Sequence, residues 1–291
     1  MKKLERFLDL HVHAWPDTYN RRYTIFNLGE ELKANNGAAV MKSHLMATTP
    51  LARTAREMGL PLFGSITLNQ YNGGINRSVV EAAIAANGPD HSSMMIWFPT
   101  LTLPSNKPKT KQTTSHPVLA EHTVKYERVS ENGKLRQETK EVIQVASAFN
   151  IPLATGHSSK EEVYMLIEET EKQKCKLMIT HPFYQCTNFT IAEVIDMLSS
   201  SKNVYVEFAV LMSKIGYDRH EDLVEVLKTW GTDRICVSTD FGQLKNGTVT
   251  EGYTEYVTEV KKAAEANGFD FNQKIADEIC YLNPTAFLGV K

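Results

Sequence analysis

The sequence predicts an α/β protein, a (β/α)8 barrel in a single domain, and three observations carry that prediction. Short apolar runs alternate with helical patterns along the chain, an order that connects strands in parallel. Eight such runs can be read, the number that closes a sheet on itself. The chain has 291 residues, enough for a barrel that typically needs about 250. An open doubly wound sheet is the alternative, but no Gly-x-Gly-x-x-Gly follows the first strand. With no internal repeat and no linker, residues 1–291 read as one domain.

The first strand, Phe7–Val12, runs into Asp9-Leu10-His11-Val12-His13, and Pro16 and Asp17 stop it. Side chains alternate along a strand, so His11 and His13 are expected on one face and Leu10 and Val12 on the other. Thr24–Asn36 is helical, with Gly37 as its C-terminal cap. Ala38–His44 is the second strand, Leu51–Met58 a helix, and Pro61–Leu68 the third strand. Ile75–Ala86 is an alanine-rich helix, and Met94–Pro99 the fourth strand.

Pro104–Pro117 is rich in Lys, Pro, Thr and Ser and has no apolar period, so a mobile loop over the site is expected there. A small hairpin, Thr123–Gln137, is inserted before strand five, with Asn132-Gly133 supplying its turn. A helix from about Glu138 to Phe149 restores the rhythm. Strand five is Ile151–Thr155, strand six Lys176–Thr180, strand seven Val204–Ala209 and strand eight Arg234–Thr239. Helices Lys160–Lys172, Ile191–Ser199 and Glu221–Trp230 separate them, and two more follow near Glu251–Ala266 and Gln273–Cys280.

Hydrophobic content of 42% and charged content of 23% are ordinary for a globular chain. A net charge of −2 supplies no basic excess for phosphates, so neither nucleic acid nor a membrane surface is an expected partner. The opening Met1-Lys2-Lys3-Leu4-Glu5-Arg6 has no apolar signal region, and no later run approaches ~18 apolar residues. Cys175, Cys186, Cys236 and Cys280 lack Cys-x-x-Cys spacing and read as reduced thiols, Cys236 as a core residue. The expected location is the cytoplasm.

In such barrels the site lies at the C-terminal strand ends. Here those ends carry the unusual residues. Strand one ends in His11 and His13, and strand two in Lys42-Ser43-His44, with Lys42 and His44 on one face. Strand three ends near Asn69, strand five in Gly156-His157, strand six in His181 and strand eight in Asp240. Strand seven holds Glu207 in an otherwise apolar run. Ionisable groups are seldom buried without a partner or a metal, and His and Asp at strands one, five, six and eight suit a metal ion. His91, His116, His122 and His220 read as solvated or first-turn residues, and Lys107, Lys109 and Lys111 as a solvated loop.

The pattern Asp9-x-His11-x-His13, then His157, His181 and Asp240, resembles the amidohydrolase superfamily of metal-dependent hydrolases. The tail Asn283-Pro284-Thr285-Ala286-Phe287-Leu288-Gly289 is similar to the Asn-Pro-Ala-x-x-x-Gly ending common there. Asp-Leu-His-Val-His with Pro-Asp, Lys-Ser-His on strand two, the Asn-Gly hairpin and Ser-Thr-Asp-Phe-Gly resemble an uncharacterised branch with the TIM-barrel fold.

The resemblance implies that His11, His13 and Asp240 hold the more buried metal. It implies that His157 and His181 hold a second ion, or complete a single-ion site and polarise the substrate. Asp240 would also take the proton of the attacking water. Binuclear members usually carry a bridging lysine carbamate or Glu on strand four, and Met94-Met95-Ile96-Trp97-Phe98-Pro99-Thr100 has neither. Lys42 and Glu207 are the substitutes at hand; alternatively Lys42 stays an ammonium that binds a substrate carboxylate or phosphate. His44 is a ligand or a substrate contact, and Asn69 and Trp15 are further substrate-contact candidates.

The expected function is metal-dependent hydrolysis of an amide, ester, lactone or phosphoester bond in a small molecule. Lys42 and His44 stand beside Asp240 as candidate catalytic residues. The cofactor would be one or two divalent ions, zinc first and otherwise manganese or iron. The rivals are a mononuclear decarboxylase of the same superfamily and a binding protein on the barrel scaffold. A homo-oligomer is left open.

Overall fold

The computed structural model describes residues 4–89, 94–102, 113–121 and 125–290. Eight parallel strands stand in chain order: β1 (Phe7–His13), β2 (Gly37–Lys42), β3 (Leu62–Thr67), β4 (Met94–Trp97), β5 (Leu153–Ala154), β6 (Leu177–Ile179), β7 (Val204–Ala209) and β8 (Ile235–Ser238). Helices cover the outside, and an antiparallel hairpin, Ser130–Glu131 with Lys134–Leu135, precedes β5. Its turn has Asn132 at φ 50° and Gly133 at φ 73°, the two positive angles that a two-residue hairpin turn demands. The fold is the (β/α)8 barrel that the sequence predicts.

Several helices begin as their sequences dictate. Ser159 caps Lys160–Lys172 and Thr190 caps Ile191–Ser200, each exchanging hydrogen bonds with a Glu three residues on. Other elements depart from expectation. Strand five keeps only Leu153–Ala154. A five-residue helix, Val210–Lys214, follows β7 directly, because Val210-Leu211-Met212 is too short a run to show a helical period. The helix from Gln273 stops at Asp277 and passes through a π-turn, Glu278–Leu282, into Asn283–Leu288. The expected loop falls largely on residues 103–112, outside the described residues.

The barrel interior is Leu8, Leu10, Val40, Met95, Trp97, Met178 and Cys236, with Phe287 and Leu288 from the last helix packed among them. Phe287 meets Tyr205 near the start of β7, its ring centroid 4.9 Å away. Asn283 donates to the carbonyls of Thr232 (2.6 Å) and Ile235 (2.9 Å). The Asn-Pro tail therefore plugs the N-terminal end of the barrel. The strand-end histidines and Asp240 lie at the opposite end.

β1 holds the main surprise. Its register against β2 slips between Asp9 and Val12, so three residue steps on β1 face two on β2. This is a β-bulge, and it breaks the strict alternation. Leu10 joins Leu8 in the barrel interior, whereas Val12 packs outside with Phe7. Leu10 and Val12 thus do not share a face, contrary to the alternating pattern. The bulge lets His11 follow an inward Leu10 and still reach the cavity. The barrel closes at the same place: Asp240 N–H meets His11 O at 2.8 Å and His13 N–H meets Phe241 O at 2.7 Å.

Candidate metal centre

The strand ends gather around one cavity, with about 720 Å3 of empty space that is partly open to solvent. His11, His13, Lys42, His44, His157, His181 and Asp240 all line it. Two strained residues deliver the last donors: His181 has φ 26° and Asp240 φ 53°. Such angles are uncommon outside glycine and cluster at functional sites. Gly156, just before His157, has φ 58° and no room for a side chain, since a Cβ there would lie 2.2 Å from Phe98 O.

His11 Nε2 and His13 Nε2 each lie 3.1 Å from Asp240 Oδ1. Around a zinc ion with bonds of about 2.0–2.1 Å, donor atoms stand roughly 3–3.4 Å apart, so these three already have the spacing of one coordination shell. They are also the buried His/Asp group whose donor atoms all fall within 4.8 Å of one another. Glu207 stands behind His11, with Oε1 3.0 Å from Nδ1, which leaves Nε2 for the cavity. Glu207 also accepts from the Ser238 hydroxyl and from His181 N–H at 3.2 Å. It orients His11 in the manner of a carboxylate behind a metal-binding imidazole. Its oxygens are spent there, and they are not part of the donor group.

His157 and His181 face each other with ring centroids 5.3 Å apart, and each has a buried Nδ1 without a hydrogen-bond partner. Buried polar atoms are normally paired, so two unpaired imidazole nitrogens beside three convergent donors fit a cation. The charge states agree. Burial pushes His11, His157 and His181 down, His181 to about 4, and so keeps these imidazoles neutral, as metal ligation requires. Burial acts against the Asp240 carboxylate, but His11, His13 and Lys42 outweigh it and hold Asp240 far below the usual carboxylate range.

Lys42 is buried, with Nζ 2.9 Å from His11 Nε2 and 4.0 Å from the centroid of the Trp97 ring. Burial lowers it to about 8, although Asp240 and Glu207 oppose the shift. A second acidic group, His13, Asp17 and His44, is already neutralised. Arg21 reaches Asp17 Oδ2 through Nε (2.7 Å) and NH2 (2.6 Å), and Thr18 and His44 N–H both take Oδ1 at 2.7 Å. His13 Nδ1 comes within 3.3 Å of Asp17 Oδ2 but without hydrogen-bond geometry. Arg21 thus fills the cation's place in that group.

His44 lies past the end of β2, its Nδ1 2.9 Å from Thr100 Oγ1. Asn69 and Trp15 are placed elsewhere. Asn69 is fully buried and bonds Thr100 N–H (2.8 Å) and Leu101 N–H (3.0 Å), so it shapes the turn after β4 and does not face the cavity. Trp15 is 56% exposed and is not part of the cavity wall. His116 is exposed, and the His220 ring packs tilted against Tyr256, with centroids 5.2 Å apart. His91, His122, Lys107, Lys109 and Lys111 lie outside the described residues.

The sequence reading missed the rest of the wall. Tyr184 packs on His181 and His157, with centroids at 4.9 and 5.2 Å. Leu211, Met212 and Ile215 form an apolar side, and Tyr19, Arg21 and Gln243 complete the mouth. Loop residues such as these obey no period. The one available signal was the acid–base pair Asp17 and Arg21 just after the His motif.

A family model described as a family of unknown function, DUF6282, matches residues 6–207. No curated protein matches the sequence. Among solved structures, an amidohydrolase from Pseudomonas aeruginosa aligns over 98% of this chain and 95% of its own, at 12% identity and a TM-score of 0.54. A 2,6-dihydroxybenzoate decarboxylase, solved with 2,6-dihydroxybenzoate, aligns over 99% of this chain and 100% of its own, at 8% identity and a TM-score of 0.54. A zinc-bound amidohydrolase from Burkholderia multivorans aligns over 98% and 99%, at 11% identity and a TM-score of 0.50. At such identities the likeness is one of fold, and at that level the resemblance to amidohydrolase-superfamily barrels holds. No helix among the described residues is long and apolar enough to cross a membrane.

Proposed function

This chain belongs to the DUF6282 family of unknown function, and from that premise we propose that it is a metal-dependent hydrolase of small molecules. One observation carries the reading: His11 Nε2 and His13 Nε2 converge on Asp240 Oδ1 at 3.1 Å each, inside a cavity at the C-terminal strand ends. His11, His13 and Asp240 would hold the ion, with His157 and His181 beside it. Such an ion lowers the pKa of water to about 7 and polarises a carbonyl or phosphoryl oxygen. Zinc suits the His and carboxylate donors first, then manganese or iron.

The chain's own groups do the remaining work. Asp240, kept ionised, takes the proton of the attacking water and hands it to the leaving group. Glu207 fixes the orientation of His11 through Nδ1. Lys42 and His44 contact the polar end of the substrate, and Leu211, Met212 and Tyr184 cover its apolar part and exclude water. The bond is an amide, ester, lactone or phosphoester.

We further propose a single ion rather than two. Residues 94–100 at strand four hold no Lys or Glu that could bridge two ions, and Trp97 there carries the Lys42 ammonium on its ring. That observation also favours a second reading, decarboxylation of a small carboxylic acid at a one-metal site.

The test is metal content, before and after zinc reconstitution, in the wild-type chain and in a His11→Ala/His13→Ala variant. About one ion per wild-type chain and none in the variant supports the centre. An empty wild type after reconstitution removes it. The loaded protein is then given panels of amides, lactones, phosphoesters and carboxylic acids; release of carbon dioxide without hydrolysis selects the second reading.

A further inference from the structure

Asp9 does not face the cavity, yet it touches both arms that do. Its Oδ1 accepts the His11 N–H at 2.9 Å. The Thr239 N–H lies 3.1 Å from each of its oxygens, and the Thr239 hydroxyl donates to Oδ2 at 2.5 Å. The side chain is fully buried. Thr239 immediately precedes Asp240, whose backbone is held at φ 53° and whose N–H bonds His11 O at 2.8 Å. One carboxylate therefore spans the seam between β1 and the end of β8.

The seam needs such a group. The bulge between Asp9 and Val12 takes His11 N–H out of the β1–β2 ladder, and Asp9 supplies its acceptor. Three donors converge on this side chain: two backbone N–H groups and one hydroxyl. The two carboxyl oxygens match them as acceptors; an amide would turn an NH2 toward a backbone N–H.

We propose that Asp9 is a positioning residue for the metal centre, setting His11 and Asp240 together across the seam. This rests on the metal-centre reading above. Ligand-supporting contacts of this kind are worth roughly 10–100-fold in metal affinity. Asp9→Asn and Thr239→Val are therefore expected to weaken zinc binding by roughly 10–100-fold in chelator competition. Both should alter the visible spectrum of the cobalt-substituted protein, while Thr239→Ser, which keeps the hydroxyl, matches wild type.

Circular dichroism and melting identify folded variants. A folded Asp9→Asn with wild-type zinc affinity and cobalt spectrum overturns the proposal. If Asp9→Asn does not fold, Thr239→Val, which removes the hydroxyl's bond to Asp9 and the one it accepts from Phe241 N–H, decides by the same two readouts, with Thr239→Ser as the control that keeps both. A wild-type chain that takes up neither zinc nor cobalt overturns the centre itself, and this assignment with it.

Discussion

The Lys42 ammonium packs 4.0 Å from the centroid of the Trp97 ring, joining β2 to β4 directly beneath His11. Cation–π contacts in desolvated surroundings are worth about 2 kcal/mol, which favours Lys42 as an ammonium over a bridging carbamate. We expect zinc content in Lys42→Met to remain about one ion per chain, with or without bicarbonate during reconstitution. Two ions in bicarbonate-treated wild type, falling to one in the variant, would identify Lys42 as a bridging carbamate and refute the single-ion proposal.

Glu207 offers a second prediction. Glu207→Gln keeps the shape but weakens the acceptor on His11 Nδ1, and zinc affinity should fall by roughly 10–100-fold. Competition with a chromophoric chelator measures it. An unchanged affinity would mean that His11 needs no support from β7.

Asp218 predicts a pH dependence of stability. Burial raises its pKa from 3.8 to about 7, against the pull of the Ser213 hydroxyl. Between about pH 4 and 7 the unfolded chain has lost a proton that the folded one keeps, so folding weakens as pH rises through this window. The whole loss is of order 4 kcal/mol at most. Chemical denaturation at pH 4, 5.5 and 7.5 should show wild type losing ground to Asp218→Asn as pH increases. A constant difference between the two would contradict the shift.

Phe287 tests the barrel plug. Its ring is fully buried at the closed end, 4.9 Å from the Tyr205 ring. Phe287→Ala should cost about 3–5 kcal/mol, read as a lower denaturation midpoint. Metal content should be unchanged in the folded fraction, since the plug and the donors sit at opposite ends. A loss below about 1 kcal/mol would show that the tail does not complete the core.

The barrel was legible in the sequence because each strand is an apolar run ended by turn residues. The donors were legible because polar residues at those ends have no packing reason to be there. Other features depend on registers that a sequence does not print. Strict alternation places Leu10 outside, and only the slip against β2 reveals the bulge that puts it inside. An acid in β7 signals a buried partner, but nothing in Val-Tyr-Val-Glu-Phe-Ala says that it faces His11 from behind. Asn69 and Trp15 looked alike as strand-end residues; the fold spends one on a turn and leaves the other in solvent. The Asn283 tail was recognisable as a motif, whereas its mechanical part became clear only from its bonds to Thr232 and Ile235.

The seam between Asp9 and Thr239 has a consequence for biosynthesis. The residues it joins lie 230 positions apart in the chain, and Phe287 follows later still. A nascent fragment that stops short of Asp240 cannot hold both arms of the proposed centre. A chain halted before residue 235 would carry His11 and His13 without Asp240, the carboxylate on which both converge.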